Sequence, residues 1–135
     1  MPLNDATAEM CWNPMGRALL DYYQGSRHAA FTVRSNVEQD REVHAGVFFR
    51  EGRLPRLEKL ALRHCYGQTL DAGAGAGSHA LALQKNGIDI TAMDISADSC
   101  ELMRLRGLPK VICSDIFRLS DQKFDTILMV MNGIG

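Results

Sequence analysis

The sequence predicts an α/β fold, a doubly wound parallel sheet, and three observations carry that reading. Residues 70–78 read LDAGAGAGS, an acid near the end of a short apolar stretch followed by glycines at alternate positions. From residue 69 onward, short apolar runs alternate with helical stretches, as expected of parallel strands joined by crossover helices. A further acid, Asp94, follows the next apolar run, 21 residues beyond Gly73.

Each element follows from local signals. Met15, Ala18, Leu19, Tyr22 and Tyr23 recur at helical spacing over residues 14–23, and Gly25 stops the helix. Residues 26–49 fit neither the helical nor the strand period for long and read as loop with short helical pieces. After Gly52, Leu54, Leu57, Leu60 and Ala61 recur at intervals of three and four. They predict a second helix, which starts at Pro55 and runs to about Cys65. Up to residue 68 the chain therefore reads as helices and loops.

The pattern then changes. Residues 69–72 form a brief strand, 78–86 a helix closed by Gly87, and 88–93 a strand rich in β-branched residues. Ser96 caps a helix over 97–106 that stops at Gly107, with Pro109 just beyond, and residues 111–113 give a third strand. Residues 124–131, FDTILMVM, are almost continuously apolar, as expected of a central strand covered on both faces.

Composition bounds the partners. A chain of 135 residues with 46% hydrophobic residues supports one folded core, and a formal charge of -1 from 15 basic and 16 acidic residues disfavours nucleic acid. Arg50, Arg53 and Arg56 read as a solvated helix face. No apolar run approaches the roughly 18 residues that span a bilayer, and the first residues, MPLNDATAEMCW, resemble no signal segment. A cytoplasmic protein without a membrane partner is expected. Cys11, Cys65, Cys100 and Cys113 are dispersed, as are His28, His44, His64 and His79, so the cysteines read as reduced and no metal site is expected.

Glycines at 73, 75 and 77 make sense where a strand must turn sharply into a helix while its backbone passes close to a ligand. Asp94 stands at the separation at which a carboxylate meets a pair of ribose hydroxyls. Two nucleoside ligands compete for this geometry. GAGSHA, from Gly75, satisfies a permitted form of the dinucleotide fingerprint, so an NAD-dependent oxidoreductase is one reading. Against it, Asp71 stands where a pyrophosphate would repel it and where ammonium or sulfonium groups would be welcome. About 68 residues precede the motif, and Asp115 in VICSDIF is placed to accept from an exocyclic adenine amine.

In these residues the chain resembles the class I S-adenosylmethionine (SAM) dependent methyltransferases, over residues 69–132. LDAGAGAG resembles their first motif, MDIS the acid motif of the second strand, SDIF the adenine-contacting motif, and FDTILMVMN the strand after which acceptor contacts begin. The resemblance implies a Rossmann-like sheet of strand order 3-2-1-4 and SAM as cofactor. Gly73 and Gly75, in a loop that also includes Ala72 and Gly77, would line the methionine moiety, while Asp71 orients its amino group. Asp94 would hold the ribose with Ile95 packed on the adenine, and Asp115 and the backbone of Ile116 would meet the adenine edge. Residues 1–68 are similar to a helical cap, from which Arg50 or Tyr23 could reach the methionine carboxylate, and residues 69–135 would be the SAM-binding half-domain. Asn132 would orient an acceptor or line the pocket.

Methyl transfer needs no catalytic triad, because the activated group resides in the cofactor, and no catalytic base is identified here. The family sheet has seven strands, whereas this sequence supplies four, so the chain reads as truncated after the fourth. That strand would then be an exposed apolar edge suited to pairing in a homodimer through residues 124–131. The acceptor is unknown, and a non-catalytic SAM-binding module remains the second reading.

Overall fold

The computed structural model describes residues 10–50 and 52–130. Four strands, β3 (Gln68–Ala72), β4 (Asp89–Asp94), β5 (Val111–Cys113) and β6 (Thr126–Leu128), form a parallel sheet of order β5-β4-β3-β6. This is the expected order 3-2-1-4. Register sets Asp71 beside Ala92 on one side and Leu128 on the other, and Asp94 beside Cys113. Helices α3 (Ser78–Lys85) and α4 (Ala97–Leu105) are the crossovers. The chain then changes side to place β6 against β3, so a topological switch point opens between the carboxyl ends of β3 and β6.

Alternation along the strands separates two cores. Ile90 and Ala92 pack with Ala80 and Leu83 of α3, Cys100 and Met103 of α4, and Leu62 of helix α2 (Arg56–Arg63). Leu70, Ala72 and Met93 face the other way, against Ile112, Ile116, Leu119 and Phe124. A third cluster joins helix α1 (Asn13–Tyr23) to α4 and the glycine loop through Leu19, Leu20, Ala76 and Leu102. Among the described residues, no helix is long and apolar enough to cross a membrane.

Three expectations require correction. Residues 26–49 contain an antiparallel hairpin, β1 (Ala30–Val33) and β2 (Arg41–His44), followed by a 3-10 turn at Ala45–Phe48. The hairpin escapes a local reading because it has only two strands and lacks a tight-turn signature between them. Its position comes instead from packing of Phe31 against Phe48 in the α1 cluster. The region ahead of the sheet is therefore mixed rather than helical.

The second correction concerns α2. Leu57 and Leu60 are exposed, at 79% and 49%, while Leu54 and Leu62 are buried. Pro55 is the N-cap, so Leu54 precedes the helix and does not belong to its stripe. The third is the apolar run 124–131. Its strand is only three residues long, pairs on one side among the described residues, and leaves Ile127 53% exposed. Met131 lies outside the described residues.

The approach of α1 to α4 is unusually close. A Cβ on Gly16 would fall 2.0 Å from Ser96 Oγ, and that oxygen is held in place as the α4 N-cap, accepting from Ser99 N–H at 3.3 Å. Gly16→Ala is expected to cost about 1–3 kcal/mol by overpacking. Ser96→Gly removes the clashing atom at little capping cost, so the double variant should recover much of that loss in urea denaturation. Additive effects of the two substitutions would contradict this contact.

Candidate functional site

The glycine loop is fastened to the end of β4 by backbone and carboxylate together. Met93 C=O accepts from both Gly73 and Ala74 N–H at 2.9 Å. Asp94 follows it in sequence and uses both oxygens: Oδ2 accepts from Gly75 N–H at 2.8 Å and Oδ1 from Ser96 N–H at 2.9 Å. One side chain thus ties the loop to the start of α4. Gly75 has φ +56°, a left-handed conformation costly for any residue with a Cβ. Gly77, at φ +80°, also lies where a Cβ would meet Met103 and Leu108 at 3.0 Å, so it sets how closely the loop and α3 pack on α4.

Helix α1 covers the same elements. Met15 Cε lies 3.9 Å from where a Cβ on Gly75 would stand, and Gly16 rests on Ser96. Consecutive residues of α1 therefore lie close to the two residues that Asp94 bridges. Arg106 supports the loop from the far end of α4, donating through Nη1 to Ala76 C=O while its guanidinium lies 4.7 Å from the Phe49 ring centroid. Burial lowers its pKa, with Tyr23 acting in the opposite direction.

Asp71 is 1% exposed in the middle of the sheet. It takes a backbone hydrogen bond from Ala80, yet Oδ2 has no partner among the described residues. Burial drives its pKa up to about 7; the Ala80 bond opposes the shift and the nearby Asp94 charge adds to it. Ala72, also buried, closes the strand, and Gly73 is exposed at the sheet's edge.

The other expected site residues divide. Ile95 is 39% exposed beside Asp94. Asp115 caps the 3-10 turn at Ile116–Arg118, accepting Phe117 N–H at 3.0 Å, and Ile116 packs on Leu70, Ala72 and Met93. Tyr23 is placed elsewhere. Its hydroxyl donates to Leu105 C=O at 3.4 Å, nine residues along α4 from Ser96, or about 13 Å of helix. Its ring stacks on Phe49 with centroids 6.5 Å apart. Asn132 lies outside the described residues.

Arg50 is drawn to the first turn of α3. Its N–H donates to Ser78 Oγ at 3.3 Å, and that hydroxyl donates in turn to Phe48 C=O at 2.6 Å. The guanidinium donates through Nη2 to Glu58 Oε1 and Oε2 at 3.3 and 3.2 Å. His79 Nε2 stands 2.7 Å from the same Oε2 and must donate to it, since an ionised carboxylate can only accept. Arg50 Nε is buried without a partner among the described residues. Glu58, His79, Arg106, Met15 and Gly16 escape the sequence reading because each acts on a residue distant in the chain.

A cavity of about 310 Å³, lined by Gln68, Asp89 and Lys110 among others, lies at the amino ends of the strands. That is the opposite edge of the sheet from the loop, so cavity size does not locate the chemistry here.

A parallel sheet with a glycine turn after β3, a carboxylate at the end of the adjoining β4 and a switch point on the other side of β3 defines a Rossmann-like fold. Residues 70–132 match the family model of the methyltransferase domain. A crystal structure of a SAM-dependent methyltransferase from Bacteroides fragilis, in complex with S-adenosyl-L-homocysteine, aligns with a TM-score of 0.84 at 41% identity. The alignment covers 90% of this chain and 51% of that one. The chain thus spans about half the length of that enzyme, and both likenesses are consistent with a class I SAM-dependent methyltransferase. No curated protein matches it.

Asp71 gives the site a pH signature. Its raised folded-state pKa means that the folded protein holds a proton between about pH 4 and 7 that the unfolded chain has released. Its contribution to stability is full below pH 4 and is lost as pH rises through 7, on the order of 4 kcal/mol in all. Asp71→Asn should flatten that slope in urea denaturation measured from pH 4 to 7. An unchanged slope would contradict the assignment.

Proposed function

We propose that this chain binds SAM and forms the cofactor-binding part of a methyltransferase, with residues 1–68 capping residues 69–135. The observation that carries the reading is a pair of buried polar atoms of opposite character on residues bonded to the first turn of α3. Among the described residues, Asp71 Oδ2 is an acceptor without a donor, and Arg50 Nε is a donor without an acceptor. The methionine end of SAM offers an ammonium to the first and a carboxylate to the second. A buried polar group left unpaired costs about 1–3 kcal/mol, so a zwitterionic ligand end gains twice here.

The remaining residues fit the rest of the cofactor. Asp94 spends one lone pair on each oxygen in the clamp, which leaves acceptor capacity for the ribose hydroxyls. Ile95 offers an apolar side chain for the adenine, and Asp115 an acceptor at its edge. Bound SAM supplies an activated methyl on a sulfonium; the chain's own groups orient it, and Met15 on α1 helps to shield it from water. The acceptor is not assigned. An NAD-dependent reading is disfavoured because a pyrophosphate would add negative charge beside Asp71 and Asp94.

Two finer readings belong to the same proposal. Association through β6 is supported by exposed Ile127, on a strand paired on one side among the described residues, and by exposed Met129 just beyond it. A reducing, cytoplasmic setting is supported by four free cysteines.

Calorimetry with S-adenosyl-L-homocysteine and NAD on one sample tests the cofactor; binding of NAD alone would overturn the reading. Asp94→Ala should weaken S-adenosyl-L-homocysteine by about 1–3 kcal/mol, and an unchanged affinity would remove Asp94 from the ribose site. Light scattering should show a dimer, and a monomer at high concentration would sink association through β6.

A further inference from the structure

The Arg50–Glu58–His79 array lies beside the cofactor site without belonging to the glycine loop or its acids. Glu58 is 12% exposed at its side chain, His79 9% and Arg50 23%. Removing these charges from water is expensive, and an apolar set of similar volume often serves stability equally well. Stability alone therefore does not account for the array. What it does locally is fix one arginine. Both carboxylate oxygens hold Arg50 Nη2, the His79 N–H holds the carboxylate, and Ser78 holds the Arg50 backbone.

Every one of these contacts ends on the first turn of α3 or on α2, and the buried guanidinium nitrogen without a partner among the described residues is Nε. A long cationic side chain would otherwise spend several rotatable bonds on finding its ligand. Fixing it beforehand removes that cost from binding.

We propose that Glu58, itself anchored by His79, is a positioning residue that presents Arg50 Nε to the α-carboxylate of the cofactor. It makes the site selective for ligands carrying that carboxylate. This rests on the assignment of Arg50 to the methionine end made above. Glu58 touches no ligand; it acts through Arg50, and His79 acts through Glu58.

The test compares two ligands that differ only at the carboxylate. S-adenosyl-L-homocysteine and its decarboxylated analogue, which keeps the amino group, are titrated into the 135-residue chain and its variants by calorimetry. The unsubstituted chain should prefer the carboxylate-bearing ligand by about ten- to a hundred-fold, the range of a charged hydrogen bond. Arg50→Gln should bring the two affinities close to parity. Glu58→Gln, which keeps the side chain's shape, should lower that preference at least about fivefold, a loss of about 1 kcal/mol. The affinity for the decarboxylated analogue should stay unchanged.

If Arg50→Gln leaves the preference intact, the assignment of Arg50 fails and this inference with it. If Arg50→Gln abolishes the preference while Glu58→Gln does not alter it, the role of Glu58 alone is overturned. An equal weakening of both ligands by Glu58→Gln marks a merely structural contact and also overturns it. Should Glu58→Gln not fold, His79→Ala is read in the same way. It frees Glu58 on one side, and the preference should again fall while the analogue's affinity holds.

Discussion

The site depends on one carboxylate bridging two backbone N–H groups. Asp94 joins Gly75 to Ser96, and through them the glycine turn to the start of α4. Without that bridge the loop would hold to β4 only through Met93 C=O. A charged acceptor makes stronger hydrogen bonds than a neutral one, and this one is already committed in the geometry that a ribose would meet. The loop therefore needs little rearrangement on binding. Because Gly16 of α1 packs closely on Ser96 and Met15 lies near Gly75, helix α1 is set against the same two bridged residues.

That rigidity lets the chain hold groups that are costly by themselves. Among the described residues, Asp71 is buried with one oxygen unpaired, and Arg50 is half-buried with one nitrogen unpaired. A flexible loop would relax until both found partners. Here the positions of Asp71, in the middle strand of a parallel sheet, and of Arg50, pinned by Ser78 and Glu58, prevent that relaxation. The unmet hydrogen bonds are what the proposed ligand, carrying both signs of charge, would satisfy.

The parts legible in the sequence are those whose signals are local. Glycines at alternate positions, the Ser96 cap, the Gly87 and Gly107 stops and the β-branched run before Asp94 lie within the elements they define. The βαβαβ order from β3 to β5 and its loop follow from them. The hairpin at residues 30–44, the buried face of α2 and the extent of β6 depend on what packs against them, which periodicity cannot report. The site divides in the same way. Asp71, Gly75 and Asp94 are marked by their place in a motif. Glu58 and His79, 21 residues apart, become a pair only once α2 and α3 lie side by side. Tyr23 illustrates the converse: a plausible residue type on α1, carried by helix geometry to the other end of α4.

Discrimination between a dinucleotide and SAM comes down to the sign of charge at the switch point. Glycine phase does not decide it, since GAGSHA fits a dinucleotide fingerprint as well. Burial, with a smaller contribution from repulsion by the nearby Asp94 charge, makes Asp71 hold its proton up to about pH 7. A pyrophosphate would add to that repulsion and push Asp71 further toward its neutral form. An ammonium relieves the repulsion, favours the ionised carboxylate and repays part of its burial. In the proposed site the two acids would act together: the half-buried Asp94 would meet the sugar, and the buried Asp71 would make a cationic amino-acid end the favourable continuation.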